Sequence, residues 1–365
     1  MKTLNDLIKY LEHWAPKSYQ ESYDNSGLIC GNPKQNITGI IVSLDCIEST
    51  IEEAIKKDCN VVVAHHPIVF KGLKQFTGKN YIERTVIKAI KHDVAIYAIH
   101  TNLDSVETGV NKKFADQLNL VNTKILRPKL NQLVQLTTYV PNAGLDNLRN
   151  ALFQVGLGEI GNYKECSFTS DGIGSFKPTA NANPTIGSIN ERHYEGESKL
   201  ELIFPAHLQN LAISTLKKHH PYEEVAFQLY SILNNNQTVG SGMIGELETE
   251  MATIDFLEFV KRSFNVGCIK HTKLISDTIK KVAICGGSGS FLLGDAKRQN
   301  ADIFITGDFK YHEFFDAEDQ IIIADIGHYE SEYLTIDLIV DKIKEKSCNF
   351  AVYGSELNTN PVNYF

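Results

Sequence analysis

Two stretches in which short apolar runs alternate with helix-like segments, separated by about 100 residues of a different order, constrain this chain more than any single residue does. In the first stretch, residues 39–45, 60–64 and 94–99 read as buried strands. Residues 3–13, 48–57, 82–92 and 110–118 carry the spacing of amphipathic helices. In the last stretch, strands are expected at 281–285, 303–306, 321–324 and 350–352, and helices at 254–264, 290–299, 311–318 and 331–346. Repeated β–α alternation predicts an α/β fold in which helices cover a mostly parallel sheet.

The middle of the chain follows another order: strand 133–140, helix 145–155, strand 163–168, strand 199–204, helix 208–219 and strand 223–229. That β–α–β, β–α–β succession is the ferredoxin-like pattern. Residues 171–192, rich in Gly, Asn, Pro and Ser, read as a long hairpin or mobile loop. A chain of 365 residues exceeds what one ordinary core holds. The expected organisation is a discontinuous α/β domain, residues 1–128 plus 233–365, interrupted by an inserted ferredoxin-like α+β domain at 129–232.

Composition narrows the class. Hydrophobic residues make up 42% and charged residues 22% of the chain, ordinary for a globular protein. A net charge of -8 argues against nucleic acid as a partner, which would need clustered Lys and Arg. No apolar run is long enough for a membrane span, and the amphipathic start is unlike a signal peptide. The seven cysteines are scattered and contain no Cys-x-x-Cys pair, as in a reducing compartment. Cytoplasmic localisation follows as an expectation.

Three polar clusters close predicted strands, where open α/β sheets place their ligands. They are His65-His66 after 60–64, His100-Thr101-Asn102-Leu103-Asp104 after 94–99, and Asp325 to Glu332 after 321–324. Adjacent histidines on an extended strand point to opposite sides, which suits one metal ion each better than one ion between them. His328 and Glu332 are four apart and share a face if a helix has begun. Imidazole and carboxylate donors without thiolate suit zinc, manganese or ferrous iron. His65, His66, Asp104, His328 and Glu332 are therefore the candidate ligands of a two-metal site, with two divalent ions per subunit and zinc as the first expectation. Five donors leave positions for water, and a bound hydroxide formed near neutral pH is the expected nucleophile. A lone histidine at a strand end is more often a hydrogen-bonded structural residue; three clusters at equivalent strand ends favour the metal.

These motifs, together with Tyr23-Asp24-Asn25-Ser26-Gly27-Leu28, Ala64-His65-His66-Pro67, Thr306-Gly307-Asp308 and Tyr311-His312, resemble the Nif-three-like family, whose members are described as GTP cyclohydrolase 1 type 2 homologues. The match runs nearly end to end. The resemblance implies a dinuclear metal centre on His65, His66, Asp104, His328 and Glu332, a toroidal homohexamer, and a PII/CutA-like insert. It implies a metal-dependent hydrolase acting on a nucleotide-like small molecule, or a phosphoesterase. The alternative is a non-catalytic, metal-binding hexameric regulator with a ligand-sensing insert.

Other signals carry less. Gly156-Leu157-Gly158-Glu159-Ile160-Gly161 has the letters of a dinucleotide fingerprint but follows a predicted helix, not a strand, and reads as a turn. Gly286, Gly287 and Gly289 lie between a strand and a helix, where backbone amides can hold a phosphate or substrate edge, although a plain tight turn needs no ligand. His312 is the candidate acid/base group, with the plain alternative that it simply sits on a helix. Cys285 reads as packing, and His219-His220, His92, His193 and His271 as structural or surface residues.

Overall fold

The computed structural model describes residues 1–346 and 349–364; Cys348 lies outside the described residues. The strands are β1 Gly27–Cys30, β2 Gly39–Ser43, β3 Val61–Ala64, β4 Ala95–Ala98, β5 Val121–Pro128, β6 Leu133–Pro141, β7 Phe168–Phe176, β8 His193–Pro205, β9 Phe227–Ile232, β10 Gly240–Ala252, β11 Lys270–His271, β12 Thr278–Ser288, β13 Ile303–Gly307, β14 Ile322–Asp325 and β15 Ala351–Gly354. The chain divides into two compact units, residues 1–128 with 237–365, and residues 129–236.

In the first unit the expected single, mostly parallel sheet is instead two mixed sheets. One has the order β1-β4-β3-β2-β15, the other β11-β14-β13-β12-β10-β5. Each has a parallel core, β4-β3-β2-β15 in the first and β12-β13-β14 in the second. Antiparallel strands β1, β10, β5 and β11 flank them. The parallel strands are apolar on both faces because both faces are covered. Ile40, Val42, Val61, Val63, Ala95 and Tyr97 enter one core while Ile41, Val62, Ala64 and Ile96 enter another. The second sheet repeats the arrangement, with Val282, Ile284, Ile303 and Ile305 on one side and Ala283, Phe304 and Ile323 on the other.

Helix ends follow local chemistry. Thr3 Oγ1 accepts the amide of Asp6 while the Asp6 carboxylate accepts the amide of Thr3, a reciprocal cap that opens the helix Leu4–Trp14. Two expected helices differ. Residues 311–317 form a 3-10 turn, and the helix expected at 331–346 starts earlier and is broken at Tyr333-Leu334 into His328–Glu332 and Thr335–Lys344. The earlier start puts His328 and Glu332 on successive turns of one helix. Strand β5 ends at Pro128, paired with Gly240 of β10, so the chain leaves the first unit and returns to it at neighbouring points of one sheet.

The second unit has one antiparallel sheet in the order β7-β8-β6-β9, with helices Leu145–Gln154 and Gln209–His219. Val134, Leu136, Leu200, Leu202 and Phe204 pack with Leu148, Leu152, Ala212 and Leu216 of those helices. The strand expected at 163–168 lies at Phe168–Phe176, mostly inside the segment that reads as loop. As an edge strand with mostly exposed side chains, it needs little apolar content.

Candidate metal centre

The polar residues of the centre, Asp24 apart, follow parallel strands. Asp45 comes two residues after β2, His65 and His66 directly after β3, and His100 and Asp104 after β4. The second sheet supplies Asp308 directly after β13, and His328 and Glu332 on the helix after β14. The carboxyl edges of the two sheets meet at Glu332, whose side chain is 4% exposed.

The two histidines of the doublet do not diverge. β3 ends at Ala64, so strand alternation stops before them, and their ring centroids are 5.0 Å apart. Both Nε2 atoms face Glu332: His66 Nε2 lies 3.0 Å from Oε2, and His65 Nε2 lies 3.8 Å from Oε1. His328 Nε2 lies 3.1 Å from the same Oε2, one helical turn away. Asp104 Oδ1 stands 3.6 Å from His65 Nε2. The other four ligand candidates read from the sequence are thus gathered around the carboxylate of the fifth, Glu332.

The outward face of each imidazole is equally consistent. His65 Nδ1 donates to the carbonyl of Ile99 (2.9 Å), and His66 Nδ1 to Asp45 Oδ1 (2.8 Å). His328 Nδ1 donates to Asp308 Oδ2, and His100 Nδ1 to Asp24 Oδ1, both at 2.7 Å. An oxygen at Nδ1 fixes the tautomer and turns the Nε2 lone pair inward, the arrangement metal-ligating histidines use. The anchors are themselves held: Asp45 accepts Thr359 Oγ1 at 2.6 Å, and Asp24 accepts Ser26 Oγ, Thr101 Oγ1 and the Thr101 amide.

Two buried atoms inside this cage, His65 Nε2 and Asp104 Oδ1, have no hydrogen-bond partner. Buried polar atoms are nearly always satisfied, and a cation between these two facing orphans could satisfy both. His66 Nε2 and His328 Nε2 approach to 3.3 Å, close enough to share a proton or to face one cation together. Three donor groups converge closely enough to hold an ion: His65 with Asp104 and Glu332, His66 with His328 and Glu332, and His65 with His66 and His100. Glu332 belongs to the first two, one oxygen toward each.

Electrostatics repeats the pattern. Against the effect of burial, the carboxylates of Asp45 and Glu332 raise His66 to about 9, and those of Asp308 and Glu332 raise His328 to about 11. Burial pushes His65 down, keeping it neutral. Burial and the charge of Glu332 hold Asp104 well above the usual carboxylate range, while Glu332, despite burial, is held far below it by hydrogen bonds from His328 and its neighbours.

The glycine-rich segment borders the site in another way than a phosphate cradle would. The amide of Gly286 donates to Asn111 Oδ1 and that of Gly287 to Ser331 Oγ. A Cβ on Gly287 would stand 2.3 Å from Glu332 Oε1, and one on Gly289 2.5 Å from Thr306 Oγ1. His312 is exposed on its turn, its ring beside those of Tyr311 and Phe315, and is outside the three converging donor groups. Sequence reasoning missed Asp45, which reads there only as the last residue of a strand, and gave His100 no role of its own.

A sequence profile of Duf34/NIF3 (NGG1p interacting factor 3) matches residues 2–361. The chain belongs to the DUF34/NIF3 family. It is 36% identical over 363 residues to the GTP cyclohydrolase 1 type 2 homolog of Bacillus subtilis (strain 168), covering 98% of this chain and 97% of that protein. With a homolog of the same description from Staphylococcus epidermidis it shares 35% identity over 366 residues, covering 99% of both. The crystal structure of the Bacillus cereus protein related to NIF3 superposes with a TM-score of 0.87 at 33% identity, covering 100% of this chain and 99% of that one. Staphylococcus aureus protein SA1388 gives a TM-score of 0.80 at 30% identity with the same coverage. Among the described residues no helix is long and apolar enough to cross a membrane.

Proposed function

We propose that the chain is a metal-dependent hydrolase of a nucleotide-like small molecule, with two divalent ions shared through Glu332. One observation carries this reading: four imidazoles, each fixed by an oxygen at Nδ1, aim Nε2 into a pocket where His65 Nε2 and Asp104 Oδ1 are buried without partners. His65, Asp104 and Glu332 Oε1 would hold one ion, His66, His328 and Glu332 Oε2 the other, with zinc the first expectation from an all-N/O donor set. Bound there, the ions would supply Lewis acidity and lower the pKa of a coordinated water. Asp45 and Asp308 keep the imidazoles oriented, and Asp24 does the same for His100. His312, exposed to solvent, is the proposed proton donor to the leaving group. The relatives' description as GTP cyclohydrolase homologs suggests a purine nucleotide as the first substrate to try.

The same reading takes residues 129–232 as a ferredoxin-like, PII/CutA-like domain, supported by the antiparallel order β7-β8-β6-β9. It also takes the protein as a cytoplasmic homohexamer, which light scattering on the purified protein would test. A second reading, a metal-binding regulator whose insert senses a ligand, is favoured by a cavity of about 740 Å³ in the second unit, walled by Tyr139, Phe176, Glu197 and Tyr222.

Zinc-, manganese- and iron-loaded protein should be screened against nucleoside triphosphates and phosphoesters, with Asp104→Ala as the control. Turnover that disappears in the variant and on chelation is expected. Activity that persists after the metals are stripped sinks the hydrolase reading of this site, and a loaded but inert protein favours the regulator.

Metal loading should also release protons. The metal-free protein near neutral pH retains protons on His66 and His328, whose pKa values of about 9 and about 11 lie above the ordinary histidine value. Ligation requires the neutral ring, so loading a weakly buffered solution should liberate roughly one to two protons per chain, and affinity should rise with pH toward 9. The sign for stability is opposite in the metal-free state. The contribution of these two groups is fully present below about 6.5 and fades as pH passes first 9 and then 11. Loading without acidification would contradict the assignment.

A further inference from the structure

We infer that Tyr23 and Phe70 form an aromatic platform that positions a planar heteroaromatic ring of the substrate beside the metal centre. The inference rests on the reading of that centre as a substrate site and names the substrate class and two positioning residues for it.

Tyr23 and Phe70 lie in loops far apart in sequence, yet their ring centroids are 6.1 Å apart with planes tilted by 38°. The Tyr23 residue is 64% exposed and Phe70 44%. Large aromatic side chains usually gain more by burial than by standing in water. Here the backbone beside each ring is fixed while the ring is left bare. Asp24, next to Tyr23, accepts His100 Nδ1, Thr101 Oγ1 and Ser26 Oγ. Asn25 Nδ2 donates to the carbonyl of Val69, next to Phe70, at 2.6 Å, and so ties one loop to the other. The same Asp24 that orients a histidine of the centre therefore also sets the position of Tyr23.

From the loops, aromatic contacts run inward without a break. Phe70 meets the ring of His100 edge-on at 6.2 Å, and His100 lies 5.3 Å from His65 and 5.4 Å from His66. Among the described residues no cationic side chain lies over either ring. Two tilted aromatic faces beside a polar centre fit a flat π-system, such as a nucleobase, better than a flexible chain. Base–aromatic stacking is tolerant of base identity, because every base has a π-face.

The test is binding, not turnover. Guanosine, adenosine and ribose 5-phosphate are titrated into zinc-loaded and metal-stripped full-length protein and followed by saturation-transfer NMR. Both nucleosides should bind, with stronger saturation of base than of ribose protons, in the loaded and the stripped protein alike. Tyr23→Leu and Phe70→Leu, both at exposed positions, should each weaken them roughly 10-fold while metal content is unchanged. Phe70→Trp should restore binding, and ribose 5-phosphate should not respond to any of the three. Absence of nucleoside binding, unchanged affinity in both leucine variants, or failure of the tryptophan variant overturns the platform. Ring binding that persists in a protein inert toward every substrate would instead sink the hydrolase reading and leave the platform standing.

Discussion

On the proposed two-metal reading, Glu332→Gln should empty both metal positions at once, whereas Asp104→Asn should empty one. Glutamine keeps the shape of the side chain but has one acceptor oxygen and no charge, and its amide would point N–H bonds at an imidazole. Since Oε1 faces His65 and Oε2 faces both His66 and His328, either orientation of the amide spoils one side and weakens the other. Loss of one outer-sphere partner typically costs about 10–100-fold in metal affinity, and removal of a shared ligand should exceed about 100-fold. Asp104 touches only the side of His65, so its amide variant should retain the ion held by His66 and His328. Metal-to-protein ratios by plasma mass spectrometry after dialysis, with chelator competition for the affinities, separate the cases. Equal losses in the two variants would mean that Glu332 does not bridge. The Glu332→Gln protein should also be less stable without metal, because His66 and His328 lose the carboxylate that holds their protons. Breaking a buried pair of this kind costs about 3–5 kcal/mol. Chemical denaturation of the stripped proteins reads that loss.

The parts of this fold legible in the sequence are those whose side chains had no choice of partner. β2, β3, β4, β12, β13 and β14 are buried on both faces and so appear as unbroken apolar runs such as Val61-Val62-Val63. β10 is as long as any described strand, but its sequence begins Gly-Ser-Gly-Met-Ile-Gly and later carries exposed Glu248-Thr249-Glu250, which no periodicity reveals. It and β5 are positioned by pairing with β12, a tertiary effect that overrides local propensity. Missing them hid the division into two sheets. β7 was obscured for a related reason, since an edge strand carrying Asp171, Gly172, Gly174 and Ser175 has the composition of a loop. At the site, residue type and position after a strand single out His65, His66, Asp104, His328 and Glu332, which the fold brings together. The direction of the doublet did not follow, because alternation applies only while the strand continues and β3 stops at Ala64. Nor did the outer carboxylates: Asp45 and His66 are separated by 21 positions, and nothing but the fold brings them to 2.8 Å.

Gly287→Ala should cost metal affinity without touching any ligand. The residue has φ +63°, in the left-handed region that a Cβ disfavours, and an added methyl would stand 2.3 Å from Glu332 Oε1, 3.1 Å from its Cδ and 3.3 Å from His328 Cε1. Something must move. The backbone of Gly287 is held at both ends, its amide by Ser331 Oγ and its carbonyl by Thr306 Oγ1, so the carboxylate is the more mobile partner. Displacing Glu332 disturbs both halves of the centre, and the expected loss is about 10–100-fold in metal affinity, accompanied by about 1–3 kcal/mol of backbone strain. Gly289→Ala makes the comparison informative. Its Cβ would meet Thr306 Oγ1 and Cys285, not a ligand, so it should lower stability while leaving metal content nearly intact. Gly72→Ala, in open space, should do neither. A phosphate-cradling role for this segment predicts a different order of effects. Both glycine variants would then impair binding of phosphate-bearing ligands while metal affinity stayed unchanged. The amides of Gly286 and Gly287 already have partners in Asn111 and Ser331, so the clearance reading is the one these contacts support. On that reading, the flexibility of the turn matters less than the empty volume where a side chain would otherwise be, which lets a buried carboxylate reach two sets of imidazoles.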